Sequence, residues 1–238
     1  MDFSLIITCY NEAPHLRESF EILKRVLKET GWRSEFIFVE DFSTDSTRDV
    51  IDSILKENPD LNIKKIFHQK NEGRGQSVND GIRAAIGRVV GFLDIDLEID
   101  AHYLVPAVVL IREKQADFVM ARRIYKYSIF SFTRAIVSRG YNFLMRLLLG
   151  LPFSDTEAGF KFFDREKILP LLDKLQDKRW FWDTEIVACA HRAGLKIILL
   201  PTLFIRRPDK KSTVRLLRDS WIYFVSLLKF RKRYRASK

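Results

Sequence analysis

The chain has 238 residues, 47% hydrophobic and 30% charged, with a formal net charge of +10. That balance excludes a disordered chain and leaves room for one domain with a large core or two small ones. Its two cysteines, Cys9 and Cys189, fall inside a predicted strand and a predicted helix; this excludes a disulfide framework and fits core thiols in a reducing compartment. The start, "MDFSLIITCYNE", has an acid at position two, no basic leader and an early polar break, so it reads as a first strand. Short runs rich in β-branched and aromatic residues at 3–10, 35–40, 63–68, 89–94 and 117–122 predict strands. Between them, 13–30, 45–57, 75–87 and 101–115 carry apolar residues at three- and four-residue spacing and predict helices. Asp45-Ser46-Thr47 and Asp100 stand where helix caps belong, and Gly31 and Gly87 where helices should stop. After residue 123 come an amphipathic stretch at 128–149, the run "AGFKFF", a helix near 181–193, a strand near 196–200 and a final helix from about 213.

Alternating strands and helices predict an α/β fold with a mostly parallel sheet covered by helices. In such sheets the ligand site lies beyond the carboxyl ends of the strands. The clusters Asn11-Glu12, Glu40-Asp41, Asn71-Glu72-Gly73-Arg74-Gly75 and Asp94/Asp96 each follow a strand, so the fold should gather them into one site.

The stretch "GFLDIDLEID" sets four acids within seven positions of a basic chain. Asp94 and Asp96, two apart on an extended chain, point to one side, and hard oxygens so placed suit Mg²⁺ or Mn²⁺ with a substrate phosphate. Glu98 is either a further ligand or a surface group, and Asp100 caps the next helix. Gly73 and Gly75 flank Arg74 at a strand-to-helix turn, an arrangement that lets backbone and guanidinium approach a phosphate. At the first strand end Tyr10 offers an aromatic face; Glu40-Asp41 offer acceptors for a base or ribose, while Glu12 and Glu40 are alternatively helix caps.

"CYNE", "VEDFSTDST", "NEGRGQSVNDGI", "GFLDIDLE", "DFVMARR", "LPFSDTEAGFKFF" and "WFWDTEI" occur in an order and spacing that resembles the family-two glycosyltransferases of GT-A fold, and among them the polyprenyl (dolichyl) phosphate mannose and glucose synthases. The resemblance covers nearly the whole chain. It implies inverting, metal-dependent transfer of a hexose from a UDP- or GDP-linked sugar to a polyprenyl phosphate. It implies that Tyr10, Glu12 and Asp41 contact base and ribose, that Arg74 lies near the nucleotide, and that Asp94 and Asp96 are the metal pair, with Glu98 where relatives often carry Gln. Arg123, Arg134 and Ser138 match positions that hold the acceptor phosphate; Arg134 and Ser138, four apart, share a face if helical.

With such an anionic acceptor, the expected catalytic set is Asp96 and Arg123, with Asp155 and Asp183 organising the acceptor side or the metal-bound sugar. A hydroxyl acceptor of a growing glycan would instead need a base, for which Asp155, Asp183 and Glu185 are candidates. A sugar nucleotidyltransferase is a third reading. Two departures stand out: Glu40 for a usual Asp and Phe42 for a usual Gly.

The C-terminal segment joins apolar Trp221 to Leu228 to a basic run of Lys229, Arg231, Lys232, Arg233, Arg235 and Lys238. No run of about 18 apolar residues occurs. The expectation is therefore a catalytic domain at 1–212 and an amphipathic basic helix at 213–238, peripheral on the cytoplasmic face of an anionic membrane, with a separate membrane subunit as a possible source of the spanning helices many relatives carry. The mixed face of 128–149 has the same character. Nucleic acid is not expected as a partner, since it leaves the carboxylate cluster unexplained.

Overall fold

A computed structural model describes residues 1–125, 140, 145–207 and 216–236. The predicted alternation is present: β1 (Phe3–Cys9), α1 (Ala13–Thr30), β2 (Ser34–Glu40), α2 (Thr47–Glu57), β3 (Asn62–Phe67), α3 (Arg74–Ala84) and β4 (Val89–Leu93). A 3₁₀ turn (Ala101–Tyr103) leads into α4 (Leu104–Arg112), then β5 (Phe118–Tyr125), β6 (Phe160–Asp164), α5 (Arg165–Leu172), α6 (Trp182–Arg192), β7 (Ile197–Phe204) and α7 (Leu216–Ala236). The seven strands lie in the order β3-β2-β1-β4-β6-β5-β7. The first four pair in parallel, β6 runs antiparallel to both β4 and β5, and β7 is parallel to β5.

Period-two alternation sorts the strand side chains into two cores. Phe3, Leu5 and Ile7 meet Leu16 and Phe20 of α1 and Leu104 and Val108 of α4 on one face. Ile6, Ile37 and Val39 meet Val78 and Ile82 of α3, Ile168 of α5 and Trp182 and Ile186 of α6 on the other. Strands covered on both faces are apolar nearly throughout, as β1 and β4 are. The outer strand β3 instead carries Lys64 and Lys65, which pair with Glu35 and Asp52 and keep that edge from recruiting another strand.

Local signals behaved unevenly. Pro14 lies in the first turn of α1, and Gly31 closes the helix in the left-handed conformation (φ 65°). Asp100 accepts the His102 N–H at 2.8 Å and caps the 3₁₀ turn. Asp45, rather than Ser46, serves the start of α2, accepting from Thr47 N at 3.0 Å. Gly87 does not end α3: the helix stops at Ala84, and the Gly87 N–H donates to Ser4 Oγ at 2.8 Å. The segment "FKFF" became the antiparallel strand, and α5 follows where Asp164 accepts from Lys167 N. Most of the expected 128–149 element, with Arg134 and Ser138, lies outside the described residues.

Two buried carboxylates make the parallel half of the sheet acid-sensitive. Burial works against ionisation of Glu35, but hydrogen bonds from Ser4 Oγ (2.5 Å) and Ile86 N (2.8 Å) and the Lys64 ammonium outweigh it and hold it below its usual 4.5. Glu40 is likewise buried, and is held down by Ser43 and Arg48. A depressed carboxylate contributes stability that is complete above its unfolded value and is lost as pH falls through the folded one. Urea midpoints are therefore expected to fall steeply below pH about 4.5. The Glu35→Gln variant should show a shallower acid slope in the same titration.

Candidate active site

The carboxyl ends of β1, β2 and β4 lie side by side, so the loops after them share one edge. The loops after β1 and β2 are tied together: Asn11 Oδ1 accepts Thr44 N (2.8 Å), and Ser43 Oγ accepts Asn11 N (2.9 Å). Asp45 Oδ2 accepts Ala13 N (3.1 Å), and Thr47 Oγ1 accepts Glu12 N (3.0 Å). Tyr10 stands half exposed beside this seam. The Glu12 side chain makes no cap bond, and Glu40 turns inward to Ser43 and Arg48. Phe42, where the resembling family has glycine, keeps a left-handed backbone (φ 64°) and holds its ring beside Arg48. That left-handed conformation is held at the steric cost of a side chain, of order 1 kcal/mol.

Asp41 is buried and receives three donors: Glu72 N at 2.7 Å, Gly73 N at 2.9 Å and the ring of His68 through Nδ1 at 2.8 Å. His68 reaches Asp80 through Nε2 at 3.1 Å. In this state the Asp41 carboxylate secures the loop that precedes α3, so the expected contact with a base would need one of these bonds to be shared or exchanged. His68 was not singled out from the sequence.

That loop aims Arg74 at the acidic pair. Its Nη2 lies 2.7 Å from Asp94 Oδ1 and its Nη1 2.6 Å from Asp183 Oδ2, with Phe92 and Trp180 against the guanidinium plane. Burial disfavours the Arg74 charge, but Asp183 and Asp94 more than offset this and raise its pKa. Asp183, itself buried, also takes Lys161 Nζ, which donates in addition to Ala158 O at 2.6 Å. Burial pulls the Lys161 ammonium below its usual 10.5, with Asp183 resisting. Lys161 was missed from the sequence; a lysine inside the otherwise apolar "FKFF" was the available signal.

Asp94, Asp96, Glu98, Arg123, Gly159 and Phe204 line one pocket. Asp96 Oδ1 accepts Glu98 N at 3.2 Å, and Glu98 Oε1 accepts Arg207 N at 3.2 Å. Arg123 is gripped by Asp155, which takes both its backbone N–H (2.8 Å) and its Nε (2.9 Å), while Tyr125 and Phe204 flank the guanidinium. Burial opposes the Arg123 charge, yet Asp155 raises its pKa. Five residues expected from the sequence, Asp94, Asp96, Glu98, Arg123 and, through Arg123, Asp155, are thus brought together. Arg74 and Asp183 join them through Asp94. Among the described residues no three His, Cys, Asp or Glu side chains converge as a metal cluster.

Gly159 fits that arrangement through close approach. Its carbonyl accepts Asp94 N at 2.8 Å, and a Cβ there would stand 1.8 Å from Asp94 Oδ2. Gly159→Ala must therefore displace the Asp94 carboxylate. A misplacement of about 1 Å at a reacting centre costs on the order of 100-fold in rate. That loss is expected in a turnover assay, with circular dichroism close to wild type.

A mixed sheet carrying an acidic pair beyond its fourth strand, beside two part-buried arginines, is an α/β architecture of the GT-A plan. Residues 4–171 match glycosyl transferase family 2, and the chain belongs to that family. It is 31% identical to glycosyltransferase AglD of Haloferax volcanii over 92% of this chain and 35% of that protein. It is 26% identical to a dolichyl-phosphate beta-glucosyltransferase of Dictyostelium discoideum over 82% of this chain and 63% of that one. The chain thus spans between about a third and two thirds of the length of these curated relatives. The fold is that of GT-A glycosyltransferases such as glucosyl-3-phosphoglycerate synthase from Mycobacterium tuberculosis, solved with Mn²⁺, UDP and glucosyl-3-phosphoglycerate. Their TM-score is 0.68 at 17% identity, over 97% of this chain and 79% of that one.

Proposed function

We propose that the protein transfers a hexose, glucose by the name of its Dictyostelium relative, from a nucleotide sugar to a polyprenyl (dolichyl) phosphate with inversion at the anomeric carbon. The observation that carries this reading is Arg123, pinned by Asp155 in the pocket that also holds Asp94 and Asp96. A carboxylate pair and a fixed guanidinium in one cleft suit a donor diphosphate meeting an anionic acceptor.

The donor set of Asp94, Asp96 and Glu98 is all hard oxygen, and Gly159 leaves the Asp94 carboxylate the room that a side chain would fill. Hard oxygens of that kind suit Mg²⁺ or Mn²⁺, and the Mycobacterium tuberculosis neighbour was solved with Mn²⁺. Bound there, the ion supplies charge neutralisation for the departing diphosphate. The chain's own residues supply the rest. Arg74 exchanges Asp94 for the donor phosphates, and Tyr10 offers its ring to the base. Arg123 orients the acceptor phosphate so that its oxygen attacks the anomeric carbon as the bond to the nucleoside diphosphate breaks; such positioning contributes several kcal/mol. Arg134 and Ser138 are proposed to complete the acceptor-phosphate grip.

A phosphate oxygen is already anionic at neutral pH and gives up no proton. This agrees with the state of the three base candidates: Asp155 is held by Arg123, Asp183 by Arg74 and Lys161, and Glu185 by Arg233. A hydroxyl acceptor would need one of them to take a proton from within an ion pair, which disfavours glycan extension. The test is a panel of radiolabelled nucleotide sugars assayed with and without polyprenyl phosphate. Label entering the organic phase only with the lipid phosphate is expected. Label on a glycan hydroxyl, or pyrophosphate release, would overturn the reading.

A further inference from the structure

We infer that the outward face of α7 is a docking surface for an anionic lipid bilayer. The helix has two apolar faces. Leu227 and Phe230 are buried, and with Tyr223 and Tyr234 they pack against Phe181, Ala188 and Cys189. On the opposite side, at helical spacing, Trp221 is 67% exposed and Leu228 43%, with Ile222 and Phe224 exposed on its flanks. A helix resting on a domain ordinarily turns a polar face to water. Tryptophan beside aliphatic side chains, followed by lysines, suits the boundary between headgroups and acyl chains.

Charge names the occupant. From Trp221 to Ala236 there is no acidic residue, and Lys229 and Lys232 are exposed beyond the apolar patch. Arg233 is turned inward to Glu185 at 2.7 Å, so its charge is met within the protein. A neutral protein partner would gain little from the lysines, whereas an anionic surface attracts each by about 1 kcal/mol. Among the described residues no helix is long and apolar enough to cross a membrane, so the contact is with the surface.

The inward face of the same helix backs the site. The Tyr223 hydroxyl is hydrogen-bonded to Thr184, next to Asp183, and Thr184 to Thr156, next to Asp155. Docking would hold the domain at the bilayer that carries a lipid phosphate. That purpose rests on the acceptor proposed above, whereas the docking itself rests on the chemistry of the helix face.

Flotation of the 238-residue chain with acceptor-free vesicles tests it, comparing phosphatidylcholine/phosphatidylglycerol with phosphatidylcholine alone. The protein is expected to float with the anionic vesicles and to be released by salt. Lys229→Gln and Lys232→Gln should each lower partitioning about fivefold, the equivalent of about 1 kcal/mol. Trp221→Ala combined with Leu228→Ser should abolish flotation at an unchanged melting temperature. Wild-type protein remaining at the bottom with both vesicles overturns the inference, as do variants that float like wild type. A concentration-dependent dimer lost in Trp221→Ala also overturns it, by assigning the face to a second copy. Transfer to a water-soluble short-chain prenyl phosphate, measured without vesicles, separates the two proposals: its loss sinks the acceptor reading and leaves the docking result standing.

Discussion

Replacing Asp96 by alanine is expected to bring hexose transfer below detection while the urea midpoint stays within the equivalent of about 1 kcal/mol of wild type. The two halves have separate causes. Asp96 is partly exposed, and the hydrogen bond it accepts from Glu98 N at 3.2 Å closes a short turn at the surface. Losing such a bond costs about what one ordinary hydrogen bond contributes. Its carboxylate, however, lies in the pocket with Asp94, Glu98 and Arg123, where the proposed reaction expels a diphosphate. Removing one preorganised electrostatic element of that kind costs about 100- to 1,000-fold, and losing a resident cation costs more. Steady-state assays with added Mg²⁺ or Mn²⁺ beside urea denaturation check both halves. An active Asp96→Ala enzyme would sink the metal assignment.

Asp183→Leu should do the reverse, and cost stability first. Asp183 stands between two cations, and Lys161 is wholly buried at its other side. Removing the carboxylate strands an ammonium in an apolar surround against Phe92. Breaking a buried pair this way costs about 3–5 kcal/mol, a large share of the stability of a single domain. The second variant makes the argument specific. Lys161→Met in the Asp183→Leu background removes the stranded charge and is expected to recover much of the loss, since a packed apolar pair often replaces a buried ion pair at no net cost. Losses for the two single variants that simply add in the double variant of a double-mutant cycle would show that the pair is not coupled. Transfer should not recover in the double variant, because Arg74 has lost one of the two carboxylates that hold it.

The two results separate what stretches of sequence can carry from what they cannot. The strand and helix periods, the cap at Asp100, the stop at Gly31 and the acidic pair after the fourth strand are local. They depend on side-chain alternation, φ preference and charge within a few residues, and they were legible. "FKFF" was read as a motif but not as the strand that reverses direction, because antiparallel pairing with β4 and β5 is a property of its neighbours in space. The stop at Gly87 failed for the same reason: the Ser4 hydroxyl of β1 accepts that glycine's N–H.

Among the site residues, Asp94, Asp96, Glu98 and Arg123 were named from the chain, and their meeting in one pocket follows from the strand-end rule for α/β sheets. By itself the sequence determined the class of fold, the family and the residue types available at the sheet edge, since all three are written in periodicity and motif order. Only the tertiary structure decided the partners. It paired Arg123 with Asp155, set Arg74 between Asp94 and Asp183, buried Lys161 behind them and locked His68 to Asp41, over separations of 20 to 109 residues. Long-range ion pairs follow from which charged groups burial forces together, and burial is decided by packing across the whole sheet.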